Sequence, residues 1–222
     1  MWGWSSNIDK GAGVEILNAA EARVLGCLLE KQATTPEYYP LTLNYLVGAC
    51  NQKTSREPVM ELEEGEVSQA LLGLRKRMLA VENKMHDSRV LKYSHNLGSL
   101  GAFSTKEQAA LCLLLLRGPQ TGGEIRGRSG RMAEFESVAD AEAALASLAE
   151  KPSGPLAQRL PRRSGEKEAR WKELMTGPAV AAPEESGASE PKRSLEGRVA
   201  ALETQVQAIQ EALQRLAAPP QA

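Results

Sequence analysis

Aromatic side chains make up only 4% of the 222 residues, and Leu and Ala dominate the apolar set. That deficit argues against an all-β sandwich, whose strands draw on aromatic and β-branched residues, and favours packed helices with a minor sheet component. Cysteine is scarcer still. Cys27, Cys50 and Cys112 are odd in number, far apart, and set in apolar helical patterns rather than CxxC pairs, which argues against a disulfide framework. No stretch approaches the ~18 apolar residues of a membrane span. The opening MWGWSSNIDKGAG also lacks a basic segment followed by an apolar run, so a cytoplasmic protein with no membrane partner is expected. The net charge is −1, and the strongly basic balance of a simple nucleic-acid binder is therefore missing. Any such binding has to come from local patches. Residues 102–177 hold twelve Lys+Arg against ten Asp+Glu, whereas residues 17–101 hold ten of each.

Catalytic signatures are missing too. His86 and His95 are the two imidazoles, and an acid–base pair or a zinc site would need partners brought to them by folding. There is no HExxH or GxSxG, and GGEIRGRSG lacks the Lys-Ser/Thr ending of a phosphate loop. The expectation is a protein that is not an enzyme and carries neither cofactor nor metal. His95 reads as a hydrogen-bonded structural residue, and the cysteines as core.

What is present is a repeat, visible first in capping chemistry. Leu17-Asn18-Ala19-Ala20-Glu21 supplies a hydrophobic staple residue, an N-cap and an acidic N3 partner ahead of Leu25, Leu28 and Leu29 at helical spacing. Eighty-six residues later Phe103-Ser104-Thr105-Lys106-Glu107 repeats the arrangement ahead of Leu111, Leu114 and Leu115. Each copy then reaches another shared helix, marked by Val67, Ala70, Leu71 and Leu74 in the first and by Ala141, Ala144, Leu145 and Leu148 in the second. That second offset is 74, so the first copy holds about twelve more residues between these helices. Leu43, Leu46, Val47 and Cys50 predict a short middle helix in the first copy, with its counterpart in TGGEIRGRSGRM. A candidate hairpin closes each copy: 79–84 with 90–93 around His86-Asp87-Ser88, and 156–160 with 170–174 around Arg163-Ser164-Gly165-Glu166. Three helices followed by a hairpin is the winged-helix order, here in tandem. The fold class expected is mainly α with small β-hairpins (α+β). The divisions are a flexible extension over 1–15, winged-helix domains over 16–101 and 102–176, a linker over 177–193 and a coiled-coil helix over 194–217.

The stretch TTPEYYPLTLNYLVGACNQKTSREPVM at residues 34–60 resembles the YceH-like family of uncharacterised bacterial proteins. The likeness extends through EVSQALLGLRKRMLA, KYSHN and FSTKEQAALCLLLLRGPQTGGEIRGRSGRM, so it covers roughly residues 16–176. It implies tandem winged-helix domains in a bacterial protein, and it carries over no catalytic residue.

A winged helix usually inserts its third helix in the major groove while the wing touches backbone or minor groove. Glu61-Leu62-Glu63-Glu64-Gly65-Glu66 would turn four carboxylates on phosphate, and DAEAALASLAEK offers no base-reading side chain before Lys151. Groove insertion is disfavoured, although the same carboxylates also stabilise helix N-termini through the dipole. The basic candidates are Arg75 and Arg77 at the end of one third helix, Arg126 and Arg128 in the second middle segment, and Arg159, Arg162, Arg163 and Arg170 along the second wing. Asn51, Gln52, Lys53 and Arg56 can bond base edges or phosphates. They serve equally well as a helix C-cap and turn ahead of Pro58, with Asn51 as the cap.

Residues 176–191 are mostly Pro, Ala, Gly, Ser and Glu, the composition of a flexible linker. Beyond them Leu195, Val199, Leu202, Val206, Ile209, Leu213 and Leu216 alternate by four and three, which is coiled-coil spacing. In that register Arg198 at g faces Glu203 at e of a parallel partner, so a homodimer through the C-terminal helix is expected; folding back onto the protein's own domains is the alternative cover. Two functions fit. One is a DNA-associated regulator that contacts double-stranded DNA with the second wing and the polar run. The other is a protein-interaction scaffold resembling the tandem winged-helix subunits of chromosome-segregation complexes, docking through the acidic third helices.

Overall fold

The computed structural model describes residues 16–84, 90–162 and 165–177. The chain divides into two units, Met1–Ala179 and Val180–Ala222, and all of the second lies outside the described residues, as do residues 1–15. The linker and the heptad stripe from Leu195 to Leu216 therefore fall there.

Reciprocal caps set the helix starts. Asn18 Oδ1 accepts from the Glu21 amide at 2.9 Å while the Glu21 carboxylate accepts from the Asn18 amide at 2.8 Å, which opens α1 at Ala19–Thr34. Ser104 and Glu107 do the same at 3.2 and 2.7 Å, opening α4 at Thr105–Arg117. The middle helices are α2, Leu43–Cys50, and α5, Gly122–Arg128. The third are α3, Glu64–Lys76, and α6, Val138–Ala149. Their predicted apolar faces are buried: Val67, Ala70, Leu71 and Leu74 on α3, and Ala141, Ala144, Leu145 and Leu148 on α6.

The sheets are small and antiparallel. A two-residue strand β1, Leu41–Thr42, joins β2, Ala80–Asn83, and β3, Lys92–His95, in the order β1-β3-β2. Strand β1 has no signature in the sequence because two residues are too few to show a period. It also decides a register. The sequence puts the returning strand at 90–93, but Tyr93 faces both Leu41 and Glu82, so pairing runs over Lys92–His95 and leaves Val90 and Leu91 exposed. In the second copy β4, Ala157–Arg159, pairs with β5, Trp171–Glu173, in the register Gln158↔Lys172, one residue shorter at each end than the sequence suggested.

The first helix of each copy is buried almost all round, Glu21–Leu29 on α1 and Ala109–Leu116 on α4. A helix buried on nearly every side belongs in the middle of a core, and these two pack on each other. A Cβ on Gly26 would meet Leu116 Cδ2 at 2.8 Å, and the Cys112 thiol donates to the Gly26 carbonyl at 3.3 Å. One buried cluster consequently runs from Leu17 to Met175 through both copies.

Candidate nucleic-acid interface

The polar run after α2 is largely turned inward. Asn51, the C-cap of α2, uses both ends of its amide on one residue, with Nδ2 donating to the Leu62 carbonyl and Oδ1 accepting from the Leu62 amide, each at 2.8 Å. Arg56 is 6% exposed. Its guanidinium grips Glu30 with bonds of 3.0 and 2.6 Å and also donates to Ala49 O and Gln52 Oε1. Gln52 is therefore occupied as well, and Lys53 is the candidate of this run that stands exposed. The bland alternative, a cap and turn ahead of Pro58, describes Asn51 and Arg56. The sequence signal for it was Asn51 at a cap position; Glu30, the partner of Arg56, lies 26 residues away and had none.

The remaining arginines divide by their carboxylates. Arg75 pairs with Glu82 at 2.6 Å across the α3–β2 turn, and Arg77 pairs with Glu21 at 2.9 Å. Arg126 is exposed apart from a 3.3 Å bond to Phe135 O. Arg128 holds Gln120 at 2.8 Å and Glu124 at 3.4 Å, while Arg170 holds Glu124 at 2.7 Å. Both line a cleft of about 660 Å³ shared with Glu57, Arg117 and Glu166, where three cations meet three carboxylates. Arg163 lies outside the described residues.

Arg159 and Arg162 are different. Both are exposed and make no ion pair among the described residues. They sit with Lys167, also exposed, in a cleft of about 780 Å³ between the start of α6 and the second hairpin, lined further by Val138, Glu142 and Glu168. The hairpin is fastened beneath them. Trp171, 6% exposed, donates its indole N–H to Glu142 at 2.9 Å, and its backbone exchanges bonds of 3.0 and 2.7 Å with Gln120. Glu142 also accepts from the Gly122 amide at 3.2 Å, so its carboxylate is committed to the scaffold. The cleft keeps three cations against two carboxylates, one of them engaged.

Residues 17–166 match the family described as protein of unknown function, DUF480. The chain belongs to this family. A UPF0502 protein of Chromobacterium violaceum is 52% identical over 193 residues, 87% of each chain. A UPF0502 protein of Opitutus terrae is 51% identical over 162 residues, 73% of this chain and 70% of its own. The UPF0502 protein of Pectobacterium carotovorum is 46% identical over 208 residues, 91% of this chain and 98% of its own. The DUF480 match thus spans both repeats, from the staple residue Leu17 to the second hairpin loop.

The strongest electrostatic perturbations lie away from that cleft. Burial lowers His95 to about 4, so its imidazole is neutral near pH 7; it bonds Gln32 and packs on Tyr39, whose hydroxyl accepts from the His95 amide at 2.6 Å. Among the described residues no group of three or more His, Cys, Asp or Glu is arranged to hold a metal ion, and no helix is long and apolar enough to cross a membrane.

Proposed function

We propose that this chain is a non-enzymatic binding protein with two tandem winged-helix units, dimeric through its C-terminal helix, that associates with duplex DNA through the phosphate backbone. The second hairpin acts as the contacting wing. The observation that carries the reading is the exposed trio Arg159, Arg162 and Lys167, without ion-pair partners among the described residues, on a hairpin that Trp171 ties to Glu142 of α6. Cations not engaged internally are the ones available to displace counterions from phosphate. The third helices are poor base readers. Glu61, Glu63, Glu64 and Glu66 are exposed at the start of α3, and the exposed positions of α6 include Val138, Ala139 and Ala143. Binding should therefore be insensitive to sequence.

The test is a salt titration of full-length protein on random duplex DNA. A linear fall of log affinity with log salt is expected. Arg159→Ala with Arg162→Ala should weaken all duplexes alike and flatten the slope by about 0.9 for each phosphate that the protein no longer neutralises. An unchanged slope in the double variant would overturn the wing contact.

A specific observation also favours protein docking on α3. Leu72 in the second half of α3, Met78 just past its end and Val81 on β2 are 42%, 67% and 41% exposed. Met78 sits at φ +59, a left-handed position where a non-glycine side chain costs about 1 kcal/mol. An exposed methionine held at that cost suits a contact surface better than a solvent surface.

A further inference from the structure

The cleft of about 660 Å³ beside the second hairpin draws its walls from both copies. Glu57 comes from the segment that follows α2, Arg117 is the last residue of α4, Glu124 and Arg128 lie on α5, and Glu166 and Arg170 belong to the hairpin. Its two sides are fastened to each other, since the Glu57 amide donates to the Leu116 carbonyl at 2.8 Å. The neighbours of Glu57 are anchored as well: Arg56 bonds Glu30, and the Pro58 carbonyl accepts from Arg23, itself 2% exposed. Walls placed before a ligand arrives leave little ordering cost to binding.

The charges that line the cleft balance in number but not in partnership. Arg170 bonds Glu124 at 2.7 Å and reaches Glu166 at 3.5 Å, and Arg128 reaches Glu124 at 3.4 Å. Those two arginines and two glutamates neutralise one another. Arg117 and Glu57 are left over. The Arg117 guanidinium makes no hydrogen bond or ion pair among the described residues, and its Nε is buried without a partner. Burial, with the nearby charges of Arg128 and Arg56, lowers it against the weaker pull of Glu30 and Glu57, yet an arginine keeps its proton under all ordinary conditions. The Glu57 side chain is exposed and likewise bonds nothing among the described residues. One cation and one anion, one from each copy, therefore line the same cleft without pairing.

A buried charged donor without an acceptor is costly, and whatever brings it an acceptor recovers that cost. A bare anion would satisfy Arg117 but meet Glu57, Glu124 and Glu166 as repulsion. A bare cation would satisfy Glu57 and meet three arginines. A molecule with one negative and one positive group answers both leftover charges and adds no net charge to a cleft that has none. Pro58, Pro119 and Leu160 supply apolar wall between the charges, and the volume lies in the range of small-molecule pockets. We infer that this cleft binds a small zwitterion, a free amino acid or a short peptide, with the ligand's carboxylate on Arg117 and its ammonium group on Glu57. The guanidinium fork matches a carboxylate in bidentate fashion, and a glutamate accepts from an ammonium group. The ligand's own side chain lies against the apolar wall. This inference is independent of the DNA reading, whose three cations line a different cleft.

The experiment adds each standard amino acid in turn, and then a panel of dipeptides, to full-length protein at millimolar concentration and reads the melting temperature, with calorimetric titration of those that raise it. At least one should stabilise the native state increasingly with its concentration, and the two panels separate a free amino acid from a peptide as the ligand. Glu57→Gln, a change at an exposed residue, and Arg117→Met should each weaken binding by about tenfold or more, the worth of a lost charge-assisted hydrogen bond. The N-acetylated form of the ligand keeps the carboxylate and loses the ammonium group; wild-type protein should prefer the intact ligand, and Glu57→Gln protein should bind the two forms alike. No stabilisation by either panel, undiminished binding in folded Glu57→Gln or Arg117→Met protein, or binding of inorganic phosphate as tight as that of the zwitterion overturns the inference.

Discussion

Arg56 shows what burial does to a residue that looks, in sequence, like a surface cation. Its side chain is shielded from solvent and bonded in bidentate fashion to Glu30, and it also ties down the last turn of α2 through Ala49 O. Removing one member of a buried ion pair leaves the other desolvated and unpaired, at a cost of roughly 3–5 kcal/mol. Arg56→Met should lower unfolding stability by up to about that amount, with Lys31 at 3.3 Å still beside the Glu30 carboxylate, whereas adding Glu30→Leu should recover part of the loss because the buried carboxylate is then gone. Denaturant melts of the single and double variants check this; a double variant less stable than the sum of the two singles would show that the pair is not the source of the loss. Asn51 follows the same logic on a smaller scale, with a neutral amide matched to one backbone residue. Neither partnership is legible from the local sequence, because Glu30 and Leu62 are separated from their partners by 26 and 11 residues.

Helices α1 and α2 each carry an interior glycine, and the two glycines meet different surroundings. A methyl group added at Gly48 on α2 would have nothing within 4 Å, whereas one added at Gly26 would come within 2.8 Å of Leu116. Replacing a helical glycine by alanine gains about 0.5–1 kcal/mol from the backbone. Gly48→Ala should therefore raise the melting temperature, while Gly26→Ala should lower it, since overpacking of a filled core costs roughly 1–3 kcal/mol. Thermal melts decide the matter, and equal shifts of the same sign would mean that α1 and α4 do not approach so closely. The helices themselves were legible: capping boxes and apolar spacing marked their starts and faces. The strands were less so, because β1 is too short for a pattern and the place of β3 depends on a partner fifty-two residues away.

At the scale of the whole chain the heptad spacing from Leu195 to Leu216 would bring seven apolar side chains to one face of a helix, and leaving them in water would cost several kcal/mol at ~25 cal/mol per Å². The proposal of a homodimer through this helix predicts that full-length protein sediments at twice the chain mass and that a chain ending at Gly177 sediments as a folded monomer. A monomeric full-length protein at tens of micromolar, roughly the range where a three-heptad coil should associate, or a truncated form that still dimerises, would reject the tail as the contact. The sequence by itself determined the helix starts, the apolar faces, the internal repeat and the membership of its family, because caps and periodicities act over a few residues and leave a local trace. Only the tertiary structure decided that α1 and α4 share one core, that Asn51, Gln52 and Arg56 are engaged inside the protein, and that Arg159, Arg162 and Lys167 gather at one cleft. Charge partners and packed faces are chosen by proximity in space, and proximity between distant residues appears once the chain has folded.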